Sequence, residues 1–230
     1  MDKYPEIVTE RFDDANFHIN YCLKFIKKYL KGNILEVGAG CGSFTKNYLD
    51  QIENNKITLT ELDKKNIDDL KERFKNNKNI EVSDKSIEKI QNKFDTILYL
   101  HVLEHIKNDK TEIKNAIDKL NDGGIIIFMV PAHQKIYSNL DKAVGHYRRY
   151  SGEFFSKTLI SLERINFKYL DAIGYFLYFL NKIFFKKETF PSKFKIFLWD
   201  KVFTPITIIV DFFLRYKFGK CIIAVYKKNS

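Results

Sequence analysis

The sequence predicts an α/β fold: a doubly wound, mostly parallel seven-stranded sheet with helices on both faces and a helical, aromatic-rich insertion before the last strand. Three observations predict it. Short apolar runs alternate with amphipathic stretches through the first two-thirds of the chain, as strands do when crossover helices bury both faces of a sheet. A glycine-rich turn, Gly38 to Gly42, follows the first of those runs. From residue 175 to 217 the composition changes, with 14 aromatic residues and eight Lys or Arg against three acids.

The elements follow in order. Residues 14–31 carry Ile19, Leu23, Ile26 and Leu30 at helical spacing, after Asp13 and Asp14 as candidate caps. "NILEVG" (33–38) reads as a buried strand, "SFTKNYLDQI" as a helix, "KITLTEL" (56–62) as a strand and "DKKNIDDLKERFKNN" as a helix. "NIEVS" (79–83) is a short strand and "FDTILYL" (94–100) an apolar one. "DKTEIKNAIDKL" is a helix, and "GGIIIFMVP" (123–131) is a strand after an Asn-Asp-Gly-Gly turn. Ser151 is a plausible N-cap for a helix to about residue 163. "FKYLDAIGYF" reads as a strand and "KCIIAVYKK" as the closing one; residues 175–217 between them, divided by Pro191 and Pro205, read as two or three short helices. The expectation is one domain over 1–230: a helical segment (1–31), a core (33–170) and the insertion. Ligands of such Rossmann-like sheets bind beyond the carboxyl ends of the strands, where strand order reverses.

The bulk numbers narrow the partners. The chain has 230 residues, 45% hydrophobic and 30% charged, a globular balance. Its formal net charge of +10 suits an anionic substrate or membrane surface, or a surface solvated by lysine. No arginine-rich run or nucleic-acid motif occurs, so nucleic acid is not expected as a partner. Cys22, Cys41 and Cys221 are odd in number and lack CxxC spacing, so neither a disulfide framework nor a metal site is expected. "MDKYPEIVTERF" has no apolar core, and no apolar run reaches the ~18 residues of a membrane span, so the expected location is cytoplasmic.

Glu36 stands inside an apolar strand just before the glycine turn. Such a turn lets the backbone approach a ligand closely. A dinucleotide site would carry G-x-G-x-x-G, but here Ser43 takes the last glycine's place. A carboxylate beside the turn repels pyrophosphate and suits a cationic nucleoside.

With these residues the chain resembles the class I S-adenosylmethionine-dependent methyltransferases. "EVGAGCG" (36–42) is similar to their first motif, and Glu61 in "TLTELD", 19 residues after Gly42, to the acid ending strand two. Asp84 in "EVSDKSI", "HVLEHI" (101–106) and "LNDGG" (120–124) are similar to the next three, and the resemblance covers about residues 15–170. One departure is His101, where the family often has Asn. The resemblance implies that Glu36 and the turn Gly38, Ala39, Gly40 and Gly42 hold the methionine end of S-adenosyl-L-methionine. Glu61 would take the ribose hydroxyls, beside Leu62. Asp84, Lys85 and Ser86 would lie near adenine, with Leu100 and His101 near the sulfonium; the product would be S-adenosyl-L-homocysteine.

The acceptor is expected beside "VPAHQKIYSNLDKAVGHYRRYS" (130–151), a polar loop longer than most connections. His146 and His133 are candidate bases, since imidazole titrates near neutrality, or structural hydrogen-bonders. Arg148 and Arg149 suit an anionic group, with Tyr147 and Tyr150 beside them; alternatively one Arg pairs with Asp141 or Glu104 as scaffold. His105 reads as a supporting residue. "GHYRRYS" resembles a subset of bacterial methyltransferases linked to surface-glycan and glycolipid biosynthesis, which implies O-methylation of a sugar or phosphorylated saccharide. The alternatives are N- or C-methylation of another metabolite and, more remotely, a nucleic-acid-binding module. The insertion would be a lid, a homodimer surface, a patch facing the inner membrane surface, or a subdomain packed on the sheet.

Overall fold

Seven strands build one sheet: β1 (Ile34–Val37), β2 (Ile57–Thr60), β3 (Ile80–Ser83), β4 (Phe94–Leu100), β5 (Leu120–Pro131), β6 (Leu162–Leu170) and β7 (Cys221–Lys228). The structure, a computed structural model, describes residues 15–49, 52, 55–184 and 191–229. Strand order is β3-β2-β1-β4-β5-β7-β6. The first five strands pair in parallel, and β7 runs antiparallel between β5 and β6. Order reverses between β1 and β4, which puts the ligand crevice beyond their carboxyl ends.

Alternate residues of each central strand enter opposite cores. Ile34, Leu59, Leu98, Ile127 and Ile223 join Leu23, Tyr48 and Leu70 on one face, contributed by helices α1 (Asn16–Leu23), α2 (Thr45–Tyr48) and α3 (Lys64–Phe74). Leu35, Ile97, Ile126, Phe128 and Ile222 join Ile113, Ala116 and Phe155 on the other, from α4 (Asp109–Asp118) and a helix after the loop, α6 (Gly152–Thr158). The short α5 (Asn139–Ala143) lies within the loop itself. Burial on both faces explains why these strands read as continuous apolar runs.

Several boundaries differ from the sequence reading. The first helix ends at Leu23 and is followed by a 3-10 turn, Lys27–Tyr29; Asp13 and Asp14 lie outside the described residues. Within "SFTKNYLDQI" the described helix is Thr45–Tyr48. Ser151 does cap α6, accepting from Phe154 N–H, but α6 stops at Thr158 because Leu162 already pairs with Lys228. The strand reading of 167–176 is corrected. β6 ends at Leu170, Asp171 takes φ +65°, and α7 (Ala172–Phe184) begins. Gly174 N–H donates to Asp171, while Asp171 and Ala172 N–H donate to Asp211. These caps override the strand propensity of an aromatic-rich segment.

The insertion continues as α8 (Lys193–Leu198), a five-residue π-helical turn (Trp199–Phe203) and α9 (Thr204–Phe213). Buried acids fasten it. Asp200 accepts from His18 N–H at 2.8 Å, and Asp211 accepts from Tyr21 Oη at 2.7 Å. Asp171 pairs with Lys220 at 2.9 Å and accepts from Trp199 Nε1. No described helix is long and apolar enough to cross a membrane.

Candidate active site

The glycine turn is built for close approach. Gly38, Gly40 and Gly42 take φ of +65°, +57° and +82°, where a side chain is strained. A Cβ on Gly38 would lie 2.8 Å from Val102, and one on Gly42 2.7 Å from the Phe74 ring. Glu61 follows β2 and reaches this turn: its carboxylate accepts from Gly40 N–H at 2.9 Å, Leu62 N–H at 2.7 Å and Asp63 N–H at 3.0 Å. Ala39 is buried, and Leu62, the residue after Glu61, is exposed. Asp84 and Lys85 are exposed just past β3, where Lys85 N–H donates to Ser83 Oγ; Ser86 opens a 3-10 turn. Buried Leu100 ends β4, and His101 follows with φ +58°, its ring 6.1 Å from that of Phe44. These residues all lie along the carboxyl edge of the sheet.

Glu36 Oε2 accepts from Thr45 Oγ1 at 2.8 Å and Tyr48 Oη at 2.5 Å. Burial pushes its carboxyl up to about 7, against those two hydrogen bonds. The acid thereby ties α2 beneath the glycine turn. A cation in the crevice would favour its ionised form.

The loop between β5 and α6 folds onto the segment after β4. Glu104, in the 3-10 turn Leu103–His105, is fully buried. His101 Nδ1 stands 3.3 Å and His146 Nε2 3.8 Å from Glu104 Oε1, while Oε2 has no hydrogen-bond partner. Burial raises the Glu104 pKa, but the hydrogen bond from His101 and the charge of His146 outweigh it and leave it lowered. The His105 ring meets His146 edge-on at 4.7 Å, and burial takes its pKa down to about 4. His146 Nδ1 pairs with Asp141 Oδ1 at 2.8 Å. Asp141 also receives Arg149 Nε and Nη2, each at 2.9 Å, and Tyr178 Oη at 2.7 Å. Burial raises the Asp141 carboxyl, yet His146 and Arg149 hold it well below the usual range.

The residues expected at the acceptor divide. His146 meets the Glu104 cluster, and Tyr147 is half exposed beside it. Arg148 turns inward, to Asp109 Oδ2 at 2.5 Å and the carbonyls of Ile106 and Lys107. Arg149 is committed to Asp141, as one sequence alternative had it, and stacks on the Tyr178 ring. Tyr150 is buried, its Oη donating to Leu103 O and Asp109 Oδ2. His133, at φ +63°, stacks on Tyr169 at 5.2 Å and touches the rings of Tyr175 and Phe218; its Nε2 is sealed without a partner. Tyr178, from the insertion, was not singled out in the sequence. Asp141 had a signal there, since "SNLD" is a capping box, and Ser138 and Asp141 do form one.

Known proteins resemble this chain. Residues 15–169, more than half of the chain, match the family described as a methyltransferase domain. Over 98 residues the chain is 30% identical to malonyl-[acyl-carrier protein] O-methyltransferase 2 of Ilyobacter polytropus, covering 42% of this chain and only 38% of that protein. The N-methyltransferase NodS of Bradyrhizobium japonicum WM9, solved with S-adenosyl-L-homocysteine, is similar with a TM-score of 0.61 at 17% identity, over 96% of this chain and 91% of NodS. An S-adenosylmethionine-dependent methyltransferase of Clostridium acetobutylicum is similar with a TM-score of 0.55 at 15% identity, over 95% and 92% of the two chains. At those identities the two structures share the fold.

Proposed function

Because the chain belongs to the methyltransferase-domain family, whose cofactor is S-adenosylmethionine, we propose that it methylates a hydroxyl of a small acceptor: a saccharide, a phosphorylated saccharide or a glycolipid precursor. The crevice suits the cofactor, since the Gly38–Gly42 cradle excludes side chains and Glu61 stands at its mouth. In this reading Glu61 takes the ribose diol with both carboxylate oxygens. Asp84, Lys85 and Ser86 border adenine, and Leu100 and His101 border the methionine end. Bound there, S-adenosylmethionine supplies a methyl group on a sulfonium.

One observation carries the choice of acceptor: the 2.8 Å contact between Asp141 and His146 Nδ1. A neutral amine attacks with its free lone pair, whereas a neutral hydroxyl must lose its proton as it is methylated. Asp141 fixes the imidazole so that Nε2 can take that proton. His133, enclosed by rings, has the weaker claim. Arg148, Arg149 and Tyr150 hold the loop in shape, and Tyr147 borders the acceptor. S-adenosylhomocysteine release, followed over nucleotide sugars, phosphorylated saccharides and a parallel set of amines, tests the reading. Turnover confined to amines overturns it.

The insertion supports an acceptor carried at an anionic membrane face. Phe194, Phe197, Ile209, Phe212 and Phe213 are exposed, while the described acids there, Asp200 and Asp211, are buried. Lys193, Arg215 and Lys217 of the same segment are exposed as well. Exposed apolar side chains together with exposed cations suit a lipid surface. The protein is expected to float with anionic vesicles at low salt and less at high salt, through screening. Failure to float at low salt overturns the membrane proposal, leaving a contact between two copies for this face.

A further inference from the structure

The cluster behind the acceptor loop carries more than a base. Glu104, His105 and His146 each offer one donor atom, and the three donors lie within 4.8 Å of one another. Glu104 is fully buried, and its Oε2 has no hydrogen-bond partner. A buried carboxylate oxygen without a partner is costly, which calls for an occupant. The surroundings are those of ligating histidines. Asp141 holds Nδ1 of His146 at 2.8 Å, which turns Nε2 toward Glu104. The backbone of Gly145 hydrogen-bonds the His105 ring. A carboxylate or carbonyl on the far ring nitrogen fixes the tautomer and orientation that a metal requires.

We infer that Glu104, His105 and His146 form a binding site for a divalent transition-metal ion of the zinc type, at the carboxyl edge of the sheet beside the acceptor loop. Two imidazoles and one carboxylate suit zinc, with a fourth position open to a small oxygen ligand. Bonds of about 2.0–2.2 Å need donors roughly 3.4 Å apart, so the side chains draw together slightly on binding. His101, next to the cluster, has its Nδ1 3.3 Å from Glu104 Oε1 and a side chain that is 38% exposed. The ion's role rests on the acceptor reading above. In the fourth position it would lower the pKa of an acceptor hydroxyl, whose proton leaves to water. His146 Nε2 would then serve as ligand in place of base.

The test uses the whole chain, stripped with a chelator and titrated with Zn²⁺ against a chromophoric competitor, with Co²⁺ as an optical probe. Expected are one Zn²⁺ per chain and visible Co²⁺ bands of a low-coordinate N/O site. Glu104→Gln and His105→Ala should each weaken Zn²⁺ by roughly 100-fold or more, and Asp141→Asn by about 10–100-fold, as lost supporting partners do. His133→Ala, outside the cluster, should leave Zn²⁺ affinity unchanged. Circular dichroism and S-adenosylhomocysteine binding report whether each variant is folded. Absence of both a Zn²⁺ equivalent and Co²⁺ bands in the wild-type chain overturns the inference even if a variant fails to fold. So does Zn²⁺ affinity that is equal in wild type and a folded His105→Ala. Stripped protein that methylates a hydroxyl at full rate removes the ion's catalytic role and leaves His146 as base. Zn²⁺ bound through the cluster with turnover on amines alone upholds the site and removes the hydroxyl reading.

Discussion

His146→Ala is expected to lose methyl transfer by roughly 10²–10⁴-fold, the contribution of a positioned proton acceptor and a loss expected equally where Nε2 instead holds the proposed ion, while keeping its affinity for S-adenosylhomocysteine. The imidazole is held by Asp141 on one side and faces Glu104 on the other, whereas the Gly40–Glu61 contact marks the cofactor crevice. The loss should therefore fall on kcat more than on cofactor binding. His133→Ala should lose less, because its Nε2 is sealed among the rings of Tyr169, Tyr175 and Phe218. The assay is S-adenosylhomocysteine release with a saturating hydroxyl acceptor. Near-normal turnover in a folded His146→Ala variant contradicts the role and leaves positioning alone to drive the transfer.

Arg149→Ala is expected to destabilise the chain by about 3–5 kcal/mol, the range for removing one partner of a buried ion pair. Arg149 reaches Asp141 with two nitrogens, and the two side chains are 3% and 1% exposed. Truncation leaves Asp141 buried with only His146, Ser138 and Tyr178 to compensate. Asp141 also caps α5 and meets α7 through Tyr178, so the loop and the insertion should loosen together. Arg149→Lys should recover only part of the loss, because a point charge cannot reproduce the guanidinium fork. Urea unfolding with circular dichroism measures it. A loss below about 1 kcal/mol would place the pair among exposed ones and contradict the assignment.

The central sheet was legible because its signals are local. Buried strands read as apolar runs, glycines mark the turn, and Glu61 falls where strand two ends. The start of α7 was not legible. "AIGYFLYFL" has strand-like composition, and the carboxylates that make it a helix come from Asp171 and the distant Asp211. The loop was half legible. Its polarity marked an acceptor region, but residue type alone could not separate His146, which faces Glu104, from Arg148 and Arg149, which are spent on Asp109 and Asp141. The Glu104–His105–His146 cluster escaped because its donors come from two loops and share no ligand spacing in the chain.

The most direct test of the account is calorimetric titration of S-adenosylhomocysteine into wild type and Glu61→Ala. Glu61 joins the end of β2 to the glycine turn, through Gly40 N–H at 2.9 Å. If this crevice takes the ribose diol on Glu61, the variant loses at least roughly tenfold in affinity, about 1.4 kcal/mol, as expected for hydrogen bonds to a charged group. Unchanged affinity in a folded Glu61→Ala variant would contradict the placement of the cofactor, and with it the placement of the acceptor beside His146.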